Sequence, residues 1–153
     1  MTEIITQQNE PLKILVFSAS LRKDSLNTQL AKLAAKVIEK NGGIADYATM
    51  SEFDCPSLNQ DLEINNFHPD GAKEFRKRIL ANDAFIISSP EYNGSMPGLL
   101  KNTIDWVSRF RPQPFNEHHA LLLSASPSMA GGNKALWSLR MPLEHLGTRV
   151  YPN

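Results

Sequence analysis

Two stretches of this chain hold residues whose types and spacing suit ligand chemistry. The first is Ser18-Ala19-Ser20-Leu21-Arg22-Lys23-Asp24-Ser25-Leu26-Asn27-Thr28, where an apolar run passes into a helical pattern. It gathers hydroxyls, an amide, a guanidinium and the unpaired N–H groups of a helix N-terminus. A phosphate monoester carries about two negative charges and needs many donors, which a helix N-terminus supplies together with a favourable dipole. Arg22 can add a bidentate, charge-assisted contact. With no ligand, the same residues read as a helix start capped by Ser25 or Asn27, and the loop alone does not choose between the two. The second stretch is Ser89-Pro90-Glu91-Tyr92-Asn93-Gly94-Ser95-Met96-Pro97-Gly98. Its prolines and glycines fix a tight backbone path. Tyr92 offers an aromatic surface, and the backbone around Glu91, Asn93 and Gly94 can read the polar edge of a heterocycle. The plain alternative is a strand-to-helix turn.

These loops need elements to hold them, and the hydrophobic pattern supplies a repeating set. Residues 12–17 (L-K-I-L-V-F) form a short β-rich run. Leu26, Leu30, Leu33, Val37 and Ile38 then recur at helical spacing until Gly42-Gly43 stops that helix. A weaker strand over 44–48 precedes a polar loop over 51–69. A second helix over 72–80 presents Lys73, Arg76, Lys77 and Arg78 on a solvated basic face. A buried strand over 84–87 follows, then a third helix introduced by Pro97-Gly98, with Leu100, Ile104, Trp106 and Val107 as its packing residues. A fourth strand covers 120–123. A fourth helix covers 133–146, kinked at Pro142, and 149–151 begins a fifth strand. Strands alternating with helices imply an α/β fold, its parallel sheet covered on both faces. In such a sheet ligands bind beyond the carboxyl ends of the strands, where strand order reverses. Both chemical loops fall at such ends, and so does a third, Ser124-Ala125-Ser126-Pro127-Ser128-Met129-Ala130-Gly131-Gly132.

Composition narrows the function. The 153 residues suit one domain, with 41% apolar and 21% charged residues. Sixteen basic residues balance sixteen acidic ones, which argues against nucleic acid as a partner. No apolar run approaches the roughly 20 residues that span a bilayer, and the polar start of the chain lacks the pattern of a signal peptide. The single cysteine, Cys55, forms no intramolecular disulfide and fits a reducing, cytoplasmic setting. It reads as structural, His118-His119 as a surface pair at a strand entry, and Trp106 as core or interface. No G-x-x-x-x-G-K-[ST] is present, no G-x-G-x-x-G follows the first strand, and no arginine after Cys55 builds a thiolate loop. Nucleotide hydrolysis, the usual dinucleotide fold and cysteine phosphatase chemistry are therefore set aside.

The run P-E-Y-N-G-S-M-P-G-L-L-K-N-T-I-D-W-V-S-R over residues 90–109 closely resembles the signature of the NADPH-dependent FMN reductase family. A-S-L-R-K-D-S-L-N in the first loop resembles that family's phosphate loop, G-S-x-R-x-x-S-x-N, and F-D-C-P-S-L-N-Q-D-L-E over 53–63 resembles its loop after strand two. The likeness spans nearly everything beyond a flexible N-terminal arm, residues 1–11, and makes residues 12–153 the flavin domain. It implies a flavodoxin-like three-layer α/β/α sandwich of strand order 2-1-3-4-5. It implies Ser20, Arg22, Ser25, Asn27 and Thr28 around the FMN phosphate. Pro90, Glu91, Tyr92, Asn93 and Gly94 would line the isoalloxazine edge, with Ser124 and Ser126 near the pyrimidine side. Two positions depart from the pattern: Ala19 stands for the more frequent glycine before Ser20, and Ser128 stands where the third loop often has glycine.

The chemistry implied is hydride transfer from NADPH or NADH to FMN and onward to a small acceptor such as a quinone or free flavin. Such chemistry belongs to the cofactor, so no catalytic acid, base or metal is assigned. The resemblance further implies a homodimer or homotetramer, with Trp106 and Arg109 near its interface. A flavodoxin-type electron carrier is the first alternative, although carriers are typically acidic and this chain has a pI near 6.9. A non-catalytic flavin-binding redox sensor is the second. The family pattern completes strand five and adds a final helix, whereas this sequence stops at Tyr151-Pro152-Asn153. A C-terminally incomplete fold is therefore expected, with apolar sheet surface left open.

Overall fold

The computed structural model describes residues 10–63 and 67–152. The expected arm lies outside these residues except for its last two positions, which carry no regular structure. Five strands form one sheet: β1 (Lys13–Ser18), β2 (Ile44–Thr49), β3 (Ala84–Ser88), β4 (His119–Leu123) and β5 (Arg149–Val150). All pair in parallel in the order β2-β1-β3-β4-β5. This is the flavodoxin-like α/β arrangement, and its strand order reverses between β1 and β3. Ser18 sits opposite Ser88, and Ser88 opposite Leu123. The loops leaving β1, β3 and β4 therefore start level with one another at the reversal point, where such sheets hold ligands.

The two sheet faces are filled unequally. Helices α3 (Asp70–Leu80), α4 (Gly98–Val107) and α5 (Asn133–His145) contribute to the main core on one face. Phe17, Phe53 and Phe75 meet there, with Phe17 edge-on to both at 5.2 and 5.4 Å and Phe53 stacked on Phe75 at 4.7 Å. Each fully buried side chain of this size stabilises the fold by about 1.5–3 kcal/mol relative to exposure. The other face is covered by α1 (Leu26–Lys40), around a small cluster of Val16, Ala31 and Ile86. Beyond α1, Ile14, Ile86, Leu121 and Tyr151 line an open apolar depression of about 300 Å³ over β3, β4 and β5. Among the described residues no helix is long and apolar enough to cross a membrane.

Three details differ from the sequence pattern. The inward stripe of α1 is Asn27, Ala31, Ala34 and Ile38, while Leu33 and Val37 are half exposed or more. Small residues let this helix lie close to the strands, and the larger ones then fall to its flank. The polar loop after β2 opens with a tight turn, Met50–Phe53, that buries Met50 and Phe53, and contains a single helical turn, α2 (Gln60–Glu63). The face of α3 expected to be solvated is half tied down. Arg78 binds Glu74 at 3.0 Å, Glu52 at 2.7 Å and also Asp46, and Arg76 lies 5.0 Å over the Phe110 ring. Only Lys73 and Lys77 keep the solvated character expected of the set, each paired within its own helix.

Candidate functional site

Three loops converge at the reversal point through short backbone and hydroxyl ties. Ala19 N–H donates to the Ser88 carbonyl at 2.9 Å, Ser89 N–H to Leu123 at 2.8 Å, and Ser124 Oγ to the Ser89 carbonyl at 2.7 Å. The β1, β3 and β4 loops are thereby fixed to one another before any ligand is considered.

In the β1 loop, Ser25 is the N-cap of α1 and accepts from Asn27 N–H at 3.2 Å. Ser20 Oγ accepts from Arg22 N–H at 3.2 Å, and Arg22 Nη2 donates to the Asp24 carbonyl at 2.9 Å. These bonds curl the loop beside a cleft of about 250 Å³. Ser18, Ser20, Arg22, Lys23 and Thr28 form one wall, and Tyr47, Thr49 and Ser51 at the end of β2 form the other. The cleft holds an unusual atom. Ser18 Oγ is buried and has no hydrogen-bond partner among the described residues. A buried unsatisfied hydroxyl costs about 1–3 kcal/mol, and this one belongs to a residue that borders a cleft carrying two cations at a helix N-terminus. An anionic ligand with several acceptor oxygens answers each of those features. Burial, and then the Glu52 carboxylate, raise the pKa of the phenol of Tyr47, which also lines the cleft. Of the five residues expected around a phosphate, Ser20, Arg22 and Thr28 reach this wall. Ser25 and Asn27 are buried behind it.

The β3 loop is built differently. Tyr92 and Ser95 exchange both backbone hydrogen bonds, at 3.0 and 3.1 Å, across Asn93 (φ 51°) and Gly94 (φ 74°). Two consecutive left-handed residues make the tight Asn-Gly hairpin turn. Pro90 is partly buried and Tyr92 remains 49% exposed. Glu91 Oε2 accepts from Lys134 N–H at 2.9 Å and Ala135 N–H at 3.2 Å, so this carboxylate caps α5. The cap is needed because the residue preceding the helix, Gly132, has no side chain to supply one. Met96 N–H donates to Ser138 Oγ at 2.7 Å, pinning the far end of the loop to the same helix.

The β4 loop is shaped by close approach. Gly132 has φ +84°, and a Cβ there would lie 1.9 Å from Ser124 Oγ. Ser126 Oγ meets Ser128 Oγ at 3.0 Å and accepts from Ser128 N–H at 3.1 Å, turning the chain locally. Of the two serines expected near a ligand ring, Ser124 holds the Ser89 carbonyl of the β3 loop and Ser126 holds the backbone of its own loop.

A family model, NADPH-dependent FMN reductase, matches residues 12–153. The chain belongs to the NADPH-dependent FMN reductase family. An NAD(P)H-dependent FMN reductase of Pseudomonas aeruginosa is 37% identical over 138 residues, covering 90% of this chain and 72% of that protein. An NAD(P)H:quinone oxidoreductase of Solanum tuberosum is 38% identical over 123 residues, covering 79% of this chain and 62% of its own length. The solved flavoenzyme NAD(P)H:(acceptor) oxidoreductase FerB of Paracoccus denitrificans superposes with a TM-score of 0.79 at 33% identity, covering 92% of this chain and 75% of that one. The chain thus spans between 62% and 75% of the lengths of these relatives.

In this member of the NADPH-dependent FMN reductase family, the signature helix has a task that its motif does not announce. Asn102 Oδ1 accepts from Leu58 N–H at 2.9 Å, and its Nδ2 donates to the Cys55 and Pro56 carbonyls at 3.1 and 3.0 Å. Thr103 Oγ1 donates to the Phe53 carbonyl and Trp106 Nε1 to that of Pro56, at 3.0 and 2.7 Å. One face of α4 therefore holds the loop after β2. Trp106 is 0% exposed and spends its N–H inside its own chain, so its place is the core rather than a contact surface. Burial foremost pushes the half-buried Cys55 thiol up to about 11, which keeps it protonated and unreactive at neutral pH. The i, i+1, i+4 spacing of N-T-x-x-W was the available signal. Ser18 and Ser88, small residues at strand ends, carried none.

Proposed function

We propose that this chain is the FMN-binding part of an NAD(P)H-dependent reductase serving a quinone, a free flavin or a similar small acceptor. The observation that carries this reading is the cleft beside the β1 loop, where the unpartnered buried Ser18 Oγ stands with Ser20, Arg22, Lys23 and Thr28. Those residues fit a phosphate monoester. FMN, when bound, supplies the redox chemistry, taking two electrons from NAD(P)H and passing them to the acceptor. The protein's own work is to bind and orient. Ser20, Arg22 and Thr28 take the phosphate by charge-assisted hydrogen bonds. Pro90, Glu91, Tyr92, Asn93 and Gly94 present a rigid turn to the ring edge, and Ser124 and Ser126 hold the loop opposite. In this assignment Glu91, Ser124 and Ser126 act through the backbone they fix. Their side chains are already engaged.

Residues 12–153 are taken as one flavin domain acting in the cytoplasm as a homodimer or homotetramer. Trp137 and Met141, exposed on the outer side of α5 at 65% and 71%, are the surface on which a second copy would seat. The test is an anaerobic titration of the FMN-loaded protein with NADPH, followed by a quinone. Flavin absorbance should fall on the first addition and return on the second. A chain that binds no FMN would overturn the reading. Bound FMN that neither NADPH nor NADH reduces would turn it toward an electron carrier or a sensor.

A further inference from the structure

Asn27 is the second residue of α1 and is 3% exposed, yet its side chain serves segments 61 and 98 residues away. Its Oδ1 accepts from Ser88 Oγ and from Ala125 N–H, each at 3.0 Å. Its Nδ2 donates to the Ala125 carbonyl, also at 3.0 Å. Both backbone polar groups of Ala125 are thus held by one amide, and that complementarity fixes which way the amide faces. An asparagine side chain offers two acceptor positions and two N–H donors. Three of the four are taken, which leaves a single N–H for anything else.

The segment held is rich in small, flexible residues. The β4 loop combines Ser124, Ser126 and Ser128 with Gly131 and Gly132, and both glycines have positive φ. A loop of that composition is entropically expensive to order. Asn27 ties it at Ala125 to the first turn of α1, whose N-terminus borders the cleft.

We propose that Asn27 is a positioning residue rather than a phosphate ligand: it clasps the β4 loop to the phosphate cleft, so that one flavin nucleotide meets both at once. This rests on the flavin reading above. With the clasp closed, binding the phosphate places the ring beside an already ordered loop, and the second contact is intramolecular. With the clasp open, the ligand itself must order the loop, and that cost is taken from its affinity.

The test uses the ligand-free protein and the variant Asn27→Ala, with hydrogen exchange at the Ala125 amide and the affinities for FMN and for inorganic phosphate as readouts. Exchange at Ala125 should accelerate about tenfold or more. FMN affinity should fall about tenfold or more, while inorganic phosphate affinity stays within about twofold. A phosphate affinity that falls as far as that for FMN would make Asn27 a direct ligand and overturn the proposal. So would unchanged exchange at Ala125. Ser88→Ala is the second variant, should the first not fold. It leaves both bonds to Ala125 but removes the hydroxyl that orients Oδ1, so a smaller acceleration at Ala125 with unchanged phosphate affinity is expected. No acceleration in that variant also overturns the clasp. Wild-type protein that binds phosphate but not FMN would refute the flavin reading, with the exchange measurement still deciding the clasp.

Discussion

The cleft beside the β1 loop and the paired loops after β3 and β4 lie at the same end of the sheet but spend their polar side chains in opposite ways. At the cleft a buried hydroxyl is left over, Lys23 and Thr28 line the opening, and Arg22 spends one N–H on the Asp24 carbonyl of its own loop. At the paired loops the polar side chains are used internally: Glu91 on the start of α5, Ser138 on Met96, Ser124 on Ser89. The difference follows from what each end is proposed to meet. A phosphate is compact, charged and rich in acceptors, so it is best served by donors with nothing else to bind. The edge of a planar ring is read by backbone groups whose value lies in staying put. Ligand-ready polarity at one end and self-satisfied polarity at the other are what the proposed flavin site asks of the two regions.

The largest expected break in this contrast is Gly132→Ala, at the self-satisfied end. The added methyl would stand 1.9 Å from Ser124 Oγ, on a backbone with φ +84°. Left-handed strain and overpacking each cost about 1–3 kcal/mol, so a loss of about 2–6 kcal/mol is expected in urea unfolding. Adding Ser124→Gly removes the overlap but not the strain, and forfeits the hydroxyl's bond to the Ser89 carbonyl, so the double variant should recover less than half of that loss. A single variant within about 0.5 kcal/mol of wild type would show that the β4 loop is not held by this contact.

Next in size is a pair of serine-to-alanine changes that should differ in sign. Ser18→Ala removes a buried hydroxyl without a partner, so the ligand-free protein should gain about 1 kcal/mol. The same change should weaken FMN binding about tenfold, the worth of one hydrogen bond to a charged group. Ser124→Ala removes a paired hydroxyl and should lose about 1 kcal/mol in the ligand-free state. Thermal unfolding with and without FMN reads both. If Ser18→Ala is destabilising without ligand, the cleft is not a region of unspent polarity, and the contrast fails.

How much of this was legible in the sequence depended on the distance over which each feature is set. The five strands and four long helices announced themselves through apolar runs and periodicity, and the tight path of the β3 loop through its prolines and glycines. These are local signals. The cleft residues Ser20, Arg22 and Thr28 were legible for the same reason, since they lie on one strand-to-helix loop. The inner stripe of α1 was misread because Leu33 and Val37 are more hydrophobic than Ala31 and Ala34, while proximity to the sheet selects for size. The roles of Glu91 and Asn27 were out of reach. A cap supplied from 43 residues away, or a clasp over 98, exists only once the sheet register brings the loops level.

The smallest expected effect tests whether the self-satisfied end uses Glu91 for its charge or only for its oxygens. Glu91→Gln keeps an acceptor in reach of Lys134 and Ala135 N–H but removes the negative charge from the first turn of α5. Interaction of such a charge with a helix N-terminus is worth about 0.3–1 kcal/mol at low salt, so a loss of about 0.5 kcal/mol is expected there. Because Glu91 is only partly buried, salt should shrink that loss toward zero at about 1 M. Glu91→Ala removes the acceptor as well, and should lose about 1 kcal/mol at high salt and more at low salt, where the charge contribution is lost too. Equal stabilities for wild type and Glu91→Gln at low salt, with Glu91→Ala still weaker, would mean that the cap works by hydrogen bonding alone. The β3 loop would then be held by geometry throughout, and charge would be confined to the cleft.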